Sequence, residues 1–310
     1  MDLKTATIRY LASLAIVEAW DDMHQLLQQT LEQPQGHWRL PAVSSTAIAD
    51  NGQPAVPGVA AILCHFLAIV LVDDMLDADP KGQHHWLGIP ATANLAGALQ
   101  ATGLEALARS GAAPAVVHAA QERLNRMLLT TALGQYWDSQ NPQDEAGYWR
   151  VVRTKSSPFF GTALAIGALL SGAPQATVNG LERIGELYGE MIQLHDDLND
   201  VMERPANADW LQGRLPLPIL FAVHVDHPEQ ARFRQLRTRI TEPTVLAEAQ
   251  AILIRSGGIS YTVAQILDRH AQAEAQLHTL SLARVEPLQQ MLDDVIAPVL
   301  GLLATMGDPV

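Results

Sequence analysis

At 310 residues and 48% hydrophobic composition, the chain carries enough apolar material for a sizeable core, which excludes an intrinsically disordered protein. Its formal net charge of −13 argues against a nucleic-acid partner and against a basic membrane-surface helix. The one cysteine, Cys64, excludes an intrachain disulfide framework and a multi-cysteine metal site, and a reducing, cytoplasmic setting is the simplest expectation.

In chain order, residues 1–31 place apolar side chains at roughly helical spacing up to the break Gln33-Pro34-Gln35-Gly36. The apolar run 11–17 is interrupted by Glu18, Asp21 and Asp22, and no clean small-residue cleavage site follows, so no secretory signal is expected. Residues 56–72 hold no formally charged side chain. They contain Pro57, Gly58 and His65, are short for a bilayer span and end on two aspartates, so a buried helix is expected and no integral membrane span. Turn signals recur at Asn51-Gly52-Gln53-Pro54, Asp79-Pro80-Lys81-Gly82, Ser110-Gly111, Asn141-Pro142 and Gly172-Ala173-Pro174. Others follow at Arg204-Pro205, Leu215-Pro216, His227-Pro228, Glu242-Pro243 and Gly257-Gly258. The segments between them are of helical length, and none alternates apolar and polar residues as a strand does. No linker-like stretch or short-period repeat divides the chain. The expectation is one all-α domain over residues 1–310 with about ten or more helices.

The chemistry concentrates in an aspartate pentad that occurs twice, each time after an apolar helix-like run: Asp73-Asp74-Met75-Leu76-Asp77 and Asp196-Asp197-Leu198-Asn199-Asp200. Carboxylates this close to apolar sequence are unfavourable unless cations compensate them. On a helix, Asp73 and Asp77 share a face, and so do Asp196 and Asp200. One such cluster reads equally well as a solvated helix end, the reading given to Asp21-Asp22 and Asp293-Asp294. Two with the same spacing point to magnesium and a phosphate-bearing substrate, because Mg2+ takes one or two protein carboxylates together with substrate phosphates. The Gly and terminal Glu of a calcium-binding EF-hand loop are missing.

With its two DDxxD motifs the chain resembles the trans-isoprenyl diphosphate synthases, the polyprenyl synthetases of the all-α isoprenoid synthase fold. Other landmarks fall in the family's order. Gly134-Gln135-Tyr136-Trp137-Asp138 resembles a GQxxD segment, and Lys155-Ser156 stands where a Lys-Thr pair is expected. Gln193 precedes the second pentad, Gly213-Arg214 resembles a Gly-Lys segment ahead of Leu217-Pro218, and Tyr261 and residues 283–296 resemble the C-terminal helices. The resemblance covers roughly residues 35–300. It implies a helical bundle around a central cavity, a homodimer, and prenyl diphosphate substrates. It also implies Mg2+ held by Asp73, Asp77, Asp196 and Asp200, with Asp74 and Asp197 in support. Lys155 and Arg214 would grip the departing diphosphate, and Gln135 and Gln193 would be polar supports in an apolar cavity. Ala68 and Ile69, five and four residues before the first motif, occupy the positions where bulky residues truncate the product. A small Ala68 implies a prenyl tail of twenty carbons or more, unless Phe66 closes the pocket.

Three departures fall mainly on the second, homoallylic substrate. His37-Trp38-Arg39 stands where the family carries Gly-Lys-Arg, so Arg39 substitutes only with a shift of register. Lys81 is the one cation in the segment where paired arginines are expected, and Arg204 and Asp209 replace a glycine-lysine run. A diphosphate normally needs paired cations, and lysine does not reproduce arginine's bidentate grip. Three functions therefore remain open. The first is a prenyltransferase that uses isopentenyl diphosphate. The second is a class I terpene synthase that ionises a prenyl diphosphate alone. The third is a non-catalytic prenyl-diphosphate-binding subunit.

Overall fold

The computed structural model describes residues 2–33 and 36–307; Pro34 and Gln35 of the first expected break lie outside the described residues. Among the described residues the chain is all-α, with seventeen α-helices, three short 3-10 turns and no strand. It divides into two compact units that interleave along the sequence. The first comprises Met1–Met127, Phe159–Arg183 and Thr279–Leu288, and the second Leu128–Pro158, Ile184–His278 and Gln289–Val310. The first unit holds α1 (Leu3–Ala12), α2 (Ala15–Ala19), α3 (Asp21–Glu32), α4 (Leu40–Ala49), α5 (Val56–Asp77), α6 (His84–Leu87) and α7 (Ile89–Ala108). Helix α8 (Pro114–Asp138) runs from the first unit into the second, α9 (Glu145–Lys155) lies in the second, and α10 (Ser157–Leu170) lies almost wholly in the first. Helix α11 (Gln175–Met202) starts in the first unit and carries its C-terminal half in the second. There follow α12 (Ala208–Gln212), α13 (Leu217–His224), α14 (Gln230–Leu236), α15 (Pro243–Arg255), α16 (Gly258–Leu277) and α17 (Glu286–Gly307).

The stretch read as one N-terminal helical run is three helices. Asp2 caps α1 by accepting from the Thr5 N–H at 2.9 Å, and Trp20 is extended between α2 and α3. Asp21 and Asp22, read from the sequence as surface acids, form the first turn of α3, where the helix dipole favours negative charge.

In the first unit, α5 is apolar on every face down to Leu71, the pattern of a helix enclosed by others. Its most apolar window has a mean hydropathy of 2.5 and is 78% buried within the protein, the position of a core helix. Helix α5 packs closely against α7, and Gly103 permits it: a Cβ there would lie 2.3 Å from the His65 ring and 3.0 Å from the Ala61 carbonyl. His65 is fully buried, with Nδ1–H donating to that carbonyl at 2.9 Å and Nε2 left without a partner. Burial pushes its imidazole down to about 4. A folded value below the unfolded one makes its contribution complete above about pH 6.5 and lost as pH falls through about 4. Urea denaturation should show the native protein losing about 3 kcal/mol more than His65→Leu across that interval.

In the second unit, α9 begins where Asp144 caps the Gly147 N–H at 2.7 Å. Glu190 of α11, 1% exposed, is held between Arg269 of α16 at 3.1 Å and Arg153 of α9 at 3.3 Å. Arg269 also lies 4.1 Å over the Trp149 ring, so one buried carboxylate ties three helices together.

Candidate active site

Both pentads sit at the C-terminal end of a long helix, the first closing α5 and the second in the last two turns of α11. The helix dipole places partial negative charge there, and neither helix has a basic residue in its last turn. Each cluster therefore stands against its helix's own field, which favours a bound cation.

In the first unit, Asp73, Asp74 and Asp77 are all partly exposed. Burial raises the Asp74 carboxyl above its ordinary value, with the neighbouring Asp79 and Asp73 adding to the shift. The chain turns back at Ala78, which takes a left-handed conformation (φ 52°), and the Asp79 N–H returns to the Asp74 carbonyl at 2.9 Å. Lys81 is exposed, and its backbone N–H donates to the Asp79 carboxylate at 2.7 Å. Ala68 is buried, whereas Ile69 and Phe66 are partly exposed and Phe66 meets Phe159 at 5.8 Å between ring centres. Arg39 is exposed and stacks 4.9 Å over the buried Trp38 ring. His37 packs edge-on against Phe160, and burial lowers its pKa, which disfavours its charged form.

In the second unit, neighbouring aspartates of the second pentad face opposite ways. Asp196 is exposed, yet the surrounding protein raises its carboxyl to about 6, with Asp200 as the next cause. Asp200 is raised as well, by burial, while a hydrogen bond from Asn207 holds it down. Asp197 turns inward and is 3% exposed. Its Oδ2 accepts from Tyr148 Oη and from the Leu217 N–H, each at 2.7 Å, and its Oδ1 from Gln193 Nε2 at 3.1 Å. Burial pushes it up to about 7 against the pull of those donors.

Asp197, Tyr148 and Gln193, but not Asp196 or Asp200, line a cleft of about 100 Å³ with Lys155, Asp138, Asp209 and Arg214. Lys155 pairs with Asp138 at 2.8 Å, and Arg214 with Asp209 at 3.7 Å. Gln193 also accepts from Ser156 Oγ at 2.7 Å, whereas Gln135 lies partly buried on α8. Gly134 sets the lysine's position, since a Cβ there would meet the Lys155 backbone nitrogen at 2.4 Å and the Thr154 carbonyl carbon at 2.6 Å. Gly134→Ala should therefore force α8 and α9 apart, lowering stability by about 1–3 kcal/mol and shifting Lys155 within the cleft, which should weaken turnover. Thermal unfolding and initial rates measure both.

The pentads offer hard oxygen donors only, and desolvation together with neighbouring carboxylates raises Asp74, Asp196 and Asp200. That donor set fits magnesium. The polyprenyl synthetase family profile matches residues 42–253. The chain belongs to the polyprenyl synthetase family, a family of transferases. It is 30% identical over 195 residues to the geranylgeranyl pyrophosphate synthase of Geoglobus acetivorans, covering 58% of this chain and 61% of that protein's length. It is 24% identical to the short chain isoprenyl diphosphate synthase of Methanothermobacter thermautotrophicus, over 83% of each. The solved structure of the Geoglobus acetivorans geranylgeranyl pyrophosphate synthetase superposes with a TM-score of 0.76 at 21% identity, over 96% of this chain and 99% of that one.

Within the site, sequence reasoning missed Tyr148 and the pairing role of Asp209. Tyr148, Val151, Val152 and Lys155 all line the cleft from one face of α9. That i, i+3, i+4, i+7 spacing, counted back from Lys155, was the available signal.

Proposed function

We propose that the chain is a Mg2+-dependent prenyltransferase that condenses an allylic prenyl diphosphate with isopentenyl diphosphate, giving a prenyl diphosphate of twenty carbons or more. The observation that carries this reading is the pair of complete aspartate pentads, each set against its helix dipole, in a chain of this family. The allylic C–O bond breaks with its electron pair leaving on the diphosphate. The isopentenyl double bond attacks the resulting cation, and a proton is then lost to the released diphosphate. Magnesium held by Asp73, Asp77, Asp196 and Asp200 would supply charge neutralisation for the leaving group.

Lys155 and Arg214 bind diphosphate oxygens from the cleft, with Asp138 and Asp209 aiming them. Asp197 acts by position, fixing α9 and the start of α13 relative to α11. Ala68, small and fully buried, would be the position that leaves room for the tail near the first pentad, with the Phe66–Phe159 pair as its floor. Pyrophosphate release should vanish with chelator and return with Mg2+; release that ignores both would count against the reading. A homodimer in the cytoplasm accompanies the proposal by resemblance to the family.

A second reading, a terpene synthase acting on one prenyl diphosphate, is favoured by one observation. The segment expected to hold the second diphosphate offers a half-buried His37 packed on Phe160 and an Arg39 stacked on Trp38. A hydrocarbon or alcohol released from a single allylic diphosphate would select it.

A further inference from the structure

One more group of ligand-type side chains comes together in the second unit, apart from both pentads in sequence. His270 and Glu274 lie one turn apart on α16, and Asp293 of α17 joins them, with one donor atom of each within 4.8 Å of the others. The His270 side chain is 10% exposed. Its Nε2 is buried without a partner, and its Nδ1 stands 3.5 Å from Glu274 Oε2, beyond ordinary hydrogen-bond length. Buried imidazoles normally satisfy both nitrogens, so the unpartnered Nε2 leaves this ring a ligating atom that nothing in the protein uses. Gln289 Nε2 donates to Glu274 Oε1 and to Asp293 Oδ1, each at 3.0 Å. A neutral amide thus holds two carboxylates together beside the ring.

We propose that His270, Glu274 and Asp293 form a binding site for a divalent transition-metal ion, with zinc the chemical match, that ties α16 to α17. One imidazole nitrogen and two carboxylates suit zinc, whereas magnesium prefers oxygen alone. Tetrahedral zinc with bonds of about 2.1 Å sets its ligand atoms about 3.4 Å apart. The present spread closes to that by rotation of Glu274 and Asp293, both more exposed than the buried His270. A water completes the four ligands. Gln289 orients the carboxylates, a role whose loss usually weakens metal binding by about 10- to 100-fold.

The test uses the full chain, stripped with chelator and titrated with Zn2+, then with Co2+ to read the visible absorption of a tetrahedral site. His270→Gln, Asp293→Asn and Gln289→Leu are compared with the wild type and with a Asp73→Asn/Asp196→Asn double variant, which removes one carboxylate from each pentad. The wild type and the double variant should each retain one equivalent of zinc and the cobalt bands. Asp293→Asn, a change at an exposed position, should lose both while keeping its circular dichroism spectrum, and the zinc-induced rise in Tm should vanish with them. No retained zinc in the wild type, equal binding by wild type and Asp293→Asn, or loss only in the double variant would each overturn the proposal. None of these readouts depends on prenyl transfer.

Discussion

Asp196→Asn is expected to lower kcat for diphosphate release by at least about a hundredfold while leaving the fold intact. The argument rests on which way the side chain faces. The Asp196 side chain is exposed at the C-terminal end of α11, yet desolvation by the surrounding protein, and then Asp200, raise its carboxyl to about 6. Amidation removes that strain, so Tm should hold or rise even as turnover falls, and the Mg2+ concentration needed for half-maximal rate should increase. Asp197→Asn should behave in the opposite sense. It disturbs three hydrogen bonds around a side chain 3% exposed, so stability should fall first. Initial rates across a magnesium series, paired with thermal unfolding, separate the two neighbours. Loss of Tm in Asp196→Asn without a loss in kcat would refute the assignment.

Arg269→Met is expected to destabilise the protein by about 3–5 kcal/mol, the usual effect of removing one partner from a buried ion pair. Glu190 is 1% exposed, and its other cation, Arg153, is 56% exposed and 3.3 Å away. The substitution also removes the guanidinium lying 4.1 Å over Trp149, next to Tyr148 on α9. Because α9 carries both Tyr148 and Lys155, the loss should reach the cleft as a raised KM for allylic diphosphate. Replacing Glu190 by Gln in the same background should restore part of the stability, since the stranded charge is then gone. Chemical denaturation of the single and double variants measures the coupling.

The helical architecture and the pentads could be read from residue spacing because both are local properties. Apolar periodicity marks a helix within a few turns, and two aspartates four residues apart share a face wherever the helix lies. The opposed orientations of Asp196 and Asp197 could not be read in this way. The letters are identical, and what separates them is the packing of α9 and of the α13 start against α11, supplied by Tyr148 and Leu217, 49 and 20 residues distant. Gly134 is a similar case. Its place in a GQxxD segment was evident, while its reason, the approach of the Lys155 backbone, appears only once α8 and α9 pack. The N-terminal breaks at Ser13 and Trp20 carry no Gly or Pro to mark them, whereas Asp21 and Asp22, read as a solvated pair at a helix end, are exposed in the first turn of α3.

The central claim, that an ionised allylic diphosphate is joined to a second diphosphate substrate, is tested most directly by product analysis. The purified chain is incubated with Mg2+ and with C10, C15 or C20 allylic diphosphates, each with and without isopentenyl diphosphate. The account predicts a prenyl diphosphate of twenty carbons or more only when isopentenyl diphosphate is present. Pyrophosphate and a hydrocarbon or alcohol from the allylic substrate alone, with no elongated product under any condition, would contradict it.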